Sequence, residues 1–316
     1  MKLLYTIVFI VVGYSVLAQG CSDAGFCTMG AMKPDQPYNK NIPIRLRSME
    51  VSFYRGTTTL TPIVYVTTLD ASFSVGKKNS FQVKLPYQVV HGRLAYTSGM
   101  GDISLCFTRT LYSTEKFDLN VSLGSKIPTN RSDKKEEGRP LPMYYQTSLG
   151  TYDAIAGISL VNKKWLFATG IQIPLNQNNN QFLWGTWENW WEDRPTSVKD
   201  STYLRKYAKA NQLKRGIDVM LRVERNFRFS RLNFSVGLLP IYRITNDEID
   251  DPSKGGRTKP DGAKGLALSA IGTVGYSFNV KSGVKLLVGH KIVQRDENPD
   301  GLTRELVTSV TYFYRF

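Results

Sequence analysis

The sequence has few of the residues that build common catalytic sites and disulfide scaffolds. Its 316 residues include two histidines and three cysteines. Three cysteines are too few for a disulfide scaffold, although they allow one bridge and one free thiol. The chain has no Gly-x-Ser-x-Gly, His-Glu-x-x-His or Walker-type phosphate motif. We therefore expect no enzyme, no cofactor and no metal site.

Long apolar runs are missing after the first residues. No later segment reaches the ~18 uninterrupted apolar residues that a membrane helix requires. At the start, Lys2 precedes an apolar stretch over residues 3–17, and Val16 and Ala18 fit the small-residue positions of a cleavage site. This stretch is too short for a comfortable membrane helix, and no stop-transfer pattern follows it. We therefore predict a signal peptide over residues 1–18 that directs export through the Sec pathway.

The charge is strongly unbalanced, with 41 Lys and Arg residues against 26 Asp and Glu residues and a formal net charge of +15. In an exported protein, such a balance favours anionic ligands, or the phosphates of lipopolysaccharide in a bacterial outer leaflet. We expect no nucleic-acid partner. Much of the positive charge lies in polar stretches such as "LRKYAKANQLKR", so the net charge does not describe a pore.

The most informative pattern is the alternation of apolar and polar residues over stretches of about 10–13 residues, which suits the strands of a transmembrane barrel. The last stretch, "RELVTSVTYFYRF", shows it most clearly. One face carries Leu306, Val310, Tyr312, Tyr314 and Phe316, and the other carries Glu305, Ser309, Thr311 and Arg315. Apolar residues facing lipid and polar residues facing a wet interior produce this alternation.

Counting these stretches predicts an all-β, antiparallel, up-and-down transmembrane barrel over residues 44–316. We expect about twelve strands, with ten or fourteen as alternatives. Short and long connections alternate along the chain, as in outer-membrane barrels with short periplasmic turns and long outer loops. An even strand number leaves both termini in the periplasm. The predicted strands are 44–54, 65–75, 79–87, 100–111, 115–127, 147–160, 163–174, 213–227, 230–244, 264–278, 282–293 and 303–316.

The chain ends in alternating aromatic residues, Tyr312, Tyr314 and Phe316. This ending resembles the C-terminal signal by which bacterial outer-membrane barrels are recognised for insertion. The resemblance implies that the barrel-assembly machinery is a partner and that the protein resides in the outer membrane of a Gram-negative-type bacterium.

Two stretches, "YTSGMGDISLCFTRTL" and "LNVSLGSKIPTN", carry a family resemblance. The strand start Gly101–Leu105 and the strand end Lys126–Thr129 resemble those of outer-membrane channels linked to the meta-pathway of phenol degradation. These channels are related to the long-chain fatty-acid and aromatic-hydrocarbon transporters. The resemblance covers about residues 45–316 and implies diffusion or uptake of small, often apolar molecules.

Six charged residues are predicted to face the interior of the barrel. Asp102, Asp153 and Asp218 lie near long loops on strands that run in the same direction, and Lys126, Arg222 and Glu224 share the inner face. A charged constriction selects solutes by the sign of their charge. A solvated network of paired charges is the alternative.

One long loop, "QNNNQFLWGTWENWWEDRP", contains four tryptophans, and their spacing predicts one side of a short helix. One interpretation is an extracellular surface that captures apolar or sugar-like ligands. The other is an anchor at the lipid headgroups, where tryptophan is favoured. The four are Trp184, Trp187, Trp190 and Trp191.

The segment between the signal peptide and the barrel, residues 19–43, contains Cys21 and Cys27. Lipidation of Cys21 has weak support, because Ala18 stands where a lipoprotein signal has Leu. A Cys21–Cys27 disulfide is the simplest pairing in an oxidising periplasm, with Cys106 as an alternative partner. The segment is predicted to be either a plug inside the barrel or a loose periplasmic leader.

These patterns leave two functional hypotheses open. The first is a passive channel or uptake porin for small molecules. The second is a barrel that serves as a subunit or scaffold of a larger envelope assembly, with envelope proteins as partners. A lipid-facing hydrolase would need a serine beside His290, but Ser269 and Ser277 on the neighbouring strand are predicted to face the lumen.

Overall fold

The computed structural model describes residues 29, 32–33, 45–57, 60, 62–191 and 201–316. Within them, twelve antiparallel strands form a closed barrel, which confirms the predicted fold class. We number these strands β1 to β12, and β4 consists of two segments. They are β1 Arg45–Thr57, β2 Ile63–Val75, β3 Asn79–His91, β4 Tyr96–Met100 with Ile103–Ser113, β5 Asp118–Ile127, β6 Asp153–Val161, β7 Trp165–Pro174, β8 Asp218–Arg228, β9 Leu232–Arg243, β10 Gly265–Ser277, β11 Ser282–Val293 and β12 Leu306–Arg315.

Closure of the barrel comes from the pairing of its first and last strands. β1 pairs antiparallel with β12 from Ser48 opposite Arg315 to Thr57 opposite Leu306. The other strands pair with their neighbours in sequence. A closed ring leaves no edge strand with unpaired backbone groups, which a hydrocarbon environment requires.

The alternation in sequence becomes an outer and an inner face. Each strand exposes at least one large apolar side chain on its outer face. One example from each of β1 to β12 is Phe53, Tyr65, Tyr87, Phe107, Leu123, Ile158, Phe167, Leu221, Leu238, Val274, Leu286 and Val310. The residues adjacent to these in sequence point inward and include many polar and charged side chains. Such an arrangement, apolar outside and polar inside, is typical of transmembrane barrels.

The two ends of the barrel differ. The turn end carries the short connections 76–78, 114–117, 162–164, 229–231 and 278–281, and the first residue of β1 and the last of β12 also lie there. The loop end carries the longer connections 128–152, 175–217, 244–264 and 294–305. The loops contain two short hairpins, Lys135–Glu136 with Arg139–Pro140 and Ile249–Asp251 with Gly256–Thr258. No helix in the described part of the chain is long and apolar enough to cross a membrane.

Several predicted boundaries were wrong, and two of the differences bear on the lumen and its loops. The predicted loop 88–99 is mostly strand, because β3 continues to His91 and β4 begins at Tyr96 after a short turn. The predicted strand 147–160 begins at Asp153 instead. The preceding residues turn away from the sheet, because Ser148 and the backbone of Leu149 donate hydrogen bonds to Asp102 inside the barrel.

Buried side chains form separate clusters at the loop end and inside the barrel. The loop-end aromatic cluster is built from loop residues and the upper parts of β2 and β3. Its members include Val64, Val90, Leu141, Tyr144, Tyr145, Phe182, Trp187, Tyr203, Leu204 and Tyr207. The lumenal cluster lies within the barrel and contains Met29, Met32, Cys106, Ile155, Val161, Leu166, Ala168, Met220, Leu239 and Ile271.

Candidate functional site: the barrel lumen

The six charged residues selected from the sequence are all buried inside the barrel. They do not form one ring. Asp102 and Lys126 form a pair, with the Lys126 ammonium 3.8 Å from a carboxylate oxygen of Asp102. Arg222 and Glu224, two residues apart on β8, form a second pair at 2.8 Å. Asp153 and Asp218 belong to a larger network at the loop end.

We call this larger set the loop-end charge network. It consists of Asp153, Arg215, Asp218, Arg243, Asp247, Arg295 and Asp300. Its centre is Arg243, whose guanidinium donates to Asp218, to Asp247 and, over 2.7 Å, to Asp300. Arg215 donates to Asp153 over 2.9 Å. Buried charges are tolerated only when they are paired in this way, so the network fixes loops against strand ends.

The network has four carboxylates and three guanidiniums. Two of the carboxylates, Asp247 and Asp300, lie in loops, and the pKa of each is shifted. Burial opposes ionisation of Asp300, but Arg243, Arg295 and Arg215 outweigh burial and hold its pKa well below the usual range. Burial raises the pKa of Asp247 although Arg243 lies beside it, and Asp300 adds to the increase. The network has one more carboxylate than guanidiniums, and Asp247 is the loop carboxylate whose ionisation this imbalance opposes.

Sequence reasoning missed Arg215, Arg243, Asp247, Arg295 and Asp300. Four of them lie within long loops, where alternation gives no guide to direction. For Arg243 a signal existed, since it lies opposite Asp218 in the β8–β9 hairpin. The sequence predicts the hairpin turn at 228–229, but the turn occupies 229–231. The register that follows from the predicted turn does not place Arg243 opposite Asp218.

Next to the network, a cavity of about 240 Å³ is lined mainly by β1–β3 and β10–β12. A few residues of β4, β5 and β8 complete its wall, among them Asp102, Lys126 and Arg222. Loop residues around 143–149 and 300–304 border it at the loop end. Its walls combine apolar side chains with charged ones. The apolar residues include Val66, Leu149, Ile271, Leu287 and Val307.

Five of the charged residues at this cavity form a compact group that we call the mid-lumen cluster: Lys33, Glu50, Asp70, Lys84 and Lys285. The other charged lining residues are Asp102, Lys126, Arg222, Asp300 and Arg304. Lys33 lies 2.9 Å from Glu50 and 3.2 Å from Asp70. Lys84 lies 3.5 Å from Asp70, and Lys285 lies 3.9 Å from Glu50. The cluster therefore presents three ammonium groups and two carboxylates to the cavity.

The tryptophans of the long loop lie on a 3₁₀-helix, Trp184–Trp191. The indole of Trp187 is completely buried in the loop-end aromatic cluster, and its Nε1 donates to the carbonyl of Pro140. Trp184 is half-buried and donates to the carbonyl of Tyr207. These two tryptophans therefore help to hold together the loops 128–152 and 175–217, which we call the loop-end cover. The side chains of Trp190 and Trp191 lie outside the described part of the chain.

The remaining residues selected from the sequence are the C-terminal aromatic residues and the cysteines. Tyr312 and Phe316 are exposed on the outer face, and the ring of Tyr314 stacks edge-on against Phe316 with centroids 4.9 Å apart. Cys106 is buried in the lumenal cluster and is a free thiol. Cys21 and Cys27 lie outside the described residues, so their pairing stays a prediction.

Comparison with known proteins gives a match at the level of fold. No protein-family model and no curated protein matches the chain. Among solved structures, an outer membrane channel from Pseudomonas putida F1 is 12% identical, with a TM-score of 0.59 over 89% of this chain and 99% of the channel. The CymD monoaromatic hydrocarbon channel is 11% identical, with a TM-score of 0.42 over 95% and 94% of the two chains. Outer membrane phospholipase A from Escherichia coli is 9% identical, with a TM-score of 0.41 over 94% and 98%. The protein thus has the outer-membrane β-barrel fold of the Pseudomonas putida channel.

Proposed function

We propose that the protein is an outer-membrane channel through which small molecules pass passively. The observation that carries this proposal is the cavity of about 240 Å³ inside a closed barrel with an apolar outer face and a charged inner face. Lipid requires such an outer face, and a polar inner face keeps a pathway hydrated. The fold shared with the Pseudomonas putida channel supports the proposal.

In this proposal the barrel lies in the outer membrane of a Gram-negative bacterium, with its turn end towards the periplasm. Short turns on the periplasmic side and long loops outside are the usual arrangement of such barrels. The exposed aromatic residues Tyr312 and Phe316 then meet lipid near the periplasmic side, where the barrel-assembly machinery would recognise them. Lipopolysaccharide would surround the loop end.

We further propose that the protein is not an enzyme. A lipid-facing hydrolase needs a nucleophile beside an outward-facing histidine. His290 pairs with Ala270 on β10 and with Leu306 on β12. Ser269 is buried on the inner face of β10, so it lies on the opposite side of the barrel wall from His290.

The proposal is tested with the purified full-length barrel in liposomes. Swelling with sugars of increasing size and planar-bilayer conductance in KCl measure permeation. We expect entry of the smallest solutes and exclusion above a size limit, because loops and lumenal side chains narrow the pathway. Liposomes without protein and liposomes with urea-unfolded protein are the controls. The same lack of permeation in all three preparations would contradict channel function.

A further inference from the structure

Part of the segment that precedes β1 lies inside the barrel. Its described residues are Met29, Met32 and Lys33, and we call them the lumenal segment. The side chains of Met29 and Met32 are 1% and 0% exposed. The amide of Met32 donates to the carbonyl of Met29 over 2.8 Å, which is a turn. The lumenal segment therefore packs against the wall in a defined conformation.

The wall opposite the two methionines is hollowed by glycines. Gly124 on β5, Gly157 on β6 and Gly170 on β7 all lie at inward-facing positions, and Gly157 and Gly170 are direct register partners. A Cβ atom at Gly157 would lie 2.7 Å from Sδ of Met32, and one at Gly124 would lie 3.1 Å from Cε of Met29. Glycine within a strand commonly marks the close approach of another group. Here that group is a methionine of the same chain.

Gly157 is the clearest of these positions. The three nearest heavy atoms that a Cβ would meet there all belong to Met32. At Gly170 and Gly124, by contrast, backbone atoms of neighbouring strands are also close. Met32 thus occupies the space next to Gly157, and a side chain introduced at this position would meet Met32 first.

Lys33 reaches the other side of the lumen. Its ammonium bridges Glu50 on β1 and Asp70 on β2, while Met32 sits against β6 and β7. The lumenal segment therefore crosses the lumen at mid-height. Met29 and Met32 pack against β5–β7, and the cavity beside them is lined mainly by β1–β3 and β10–β12.

The carboxylates that bind Lys33 have other cationic partners on the barrel wall, so the lumenal segment can leave without unpairing them. Apart from Lys33, Asp70 has the Lys84 ammonium at 3.5 Å and accepts a hydrogen bond of 2.7 Å from the side-chain amide of Gln82. Glu50 keeps Lys285 at 3.9 Å. Departure of Lys33 changes the mid-lumen cluster from three cations and two anions to two of each. Neither carboxylate is left without a cation, so release avoids the large penalty of an unpaired buried charge.

We propose that the lumenal segment is a releasable plug, seated in the glycine hollow by Met32 and held across the lumen by Lys33. With the plug seated, the pathway is restricted to the cavity. Once it is released, the space beside β5–β7 is open as well. This inference rests on the proposed channel function for its consequence, but the movement itself is measured independently of permeation.

Cys106 provides that measurement, because it is 2% exposed within the same cluster as Met29 and Met32. The experiment uses full-length protein with Cys21→Ser and Cys27→Ser, so that Cys106 is the remaining thiol. Labelling by a small charged methanethiosulfonate reagent is followed by mass spectrometry. Gly157→Val is compared with Gly289→Val, a matched inward-facing glycine whose Cβ would meet just Val307 at 3.5 Å.

We expect Gly157→Val to raise the labelling rate of Cys106 at least tenfold and to increase conductance, whereas Gly289→Val leaves labelling unchanged. A second variant, Met29→Ala with Met32→Ala, leaves the barrel wall intact and is expected to raise labelling as well. Heat-modifiable migration on gels checks that each variant is folded. Unchanged labelling in folded Gly157→Val and in the double-alanine variant would overturn the plug. Increased labelling without any permeation would support the plug and count against the channel.

Discussion

Arg243 and Asp218 are cross-strand partners in the β8–β9 hairpin, and the Nε and Nη2 atoms of Arg243 donate to the two carboxylate oxygens of Asp218 over 2.8 and 2.7 Å. The same guanidinium also binds Asp247 and Asp300. One side chain thus joins the barrel wall to two loops, 244–264 and 294–305. We therefore expect this connection to stabilise the loop end of the barrel.

Replacing Arg243 with leucine leaves three buried carboxylates without their main partner. Breaking a buried pair from one side costs about 3–5 kcal/mol, so we expect a loss of that size in the free energy of unfolding. Urea unfolding in detergent, followed by tryptophan fluorescence, measures it. Arg228→Leu, an exposed arginine at the turn end of β8, is the matched control and is expected to have little effect. Equal stability of the two variants would contradict a structural role for the network.

The acid stability of the loop end depends on Asp300. Its pKa is lowered in the folded state, so its ionised form stabilises the fold at neutral pH, and this contribution is lost as the pH falls below the ordinary value of about 4. We expect Asp300→Asn to be less stable than the wild type at pH 7. The difference should shrink below about pH 4, towards the lowered pKa.

Melting temperatures of the wild type and Asp300→Asn between pH 3 and pH 7 test this expectation. Asp261→Asn, an exposed carboxylate in the neighbouring loop, controls for the loss of one charge. A constant difference between wild type and Asp300→Asn over the whole range would show that ionisation of Asp300 does not stabilise the fold.

Trp187 is the largest completely buried side chain of the loop-end cover. Replacement by alanine creates a cavity and leaves the carbonyl of Pro140 without its indole donor. Large aromatic-to-alanine changes in a core cost about 3–5 kcal/mol, and we expect a loss in that range. Thermal unfolding measures it, with Phe229→Ala as the control because Phe229 is 64% exposed in a tight turn. A loss no larger than that of the control would mean that the cover is not a packed unit.

The mid-lumen cluster sets the sign of the preferred ion in the proposed pathway. Replacing both Lys84 and Lys285 with glutamate changes the two wall cations into anions beside Glu50 and Asp70. Because charges on the wall repel permeating ions of the same sign, we expect the ratio of cation to anion permeability to rise several-fold. The reversal potential in a KCl gradient measures this shift. Lys77→Glu with Lys78→Glu, at the exposed β2–β3 turn, is the charge-matched control. Equal reversal potentials would exclude the cluster from the ion pathway.

The sequence predicted the barrel wall well because alternation is local. Leu306, Val310 and Phe316 face outward as their pattern required, and Ser309 and Thr311 line the cavity. Each of these directions follows from the strand period of two. Directions within a strand therefore need no knowledge of the rest of the chain.

What the sequence did not reveal depends on contacts between distant segments. The pairing of Asp218 with Arg243 required the hairpin register, and a shift of the predicted turn by about one residue moves every partner by two or more. Asp247 and Asp300 reach Arg243 from irregular loops, where no period applies. The inward glycines Gly157 and Gly170 had no visible purpose until Met32 was placed against them.

Single-channel conductance of the full-length barrel, compared with Gly157→Val in the same bilayer, shows whether the barrel is a channel that Met32 narrows. We expect small, discrete conductance steps for the wild type and larger steps for Gly157→Val, because displacement of Met32 opens the lumen beside β6 and β7. The absence of steps from both folded proteins would contradict the account of this barrel as a channel.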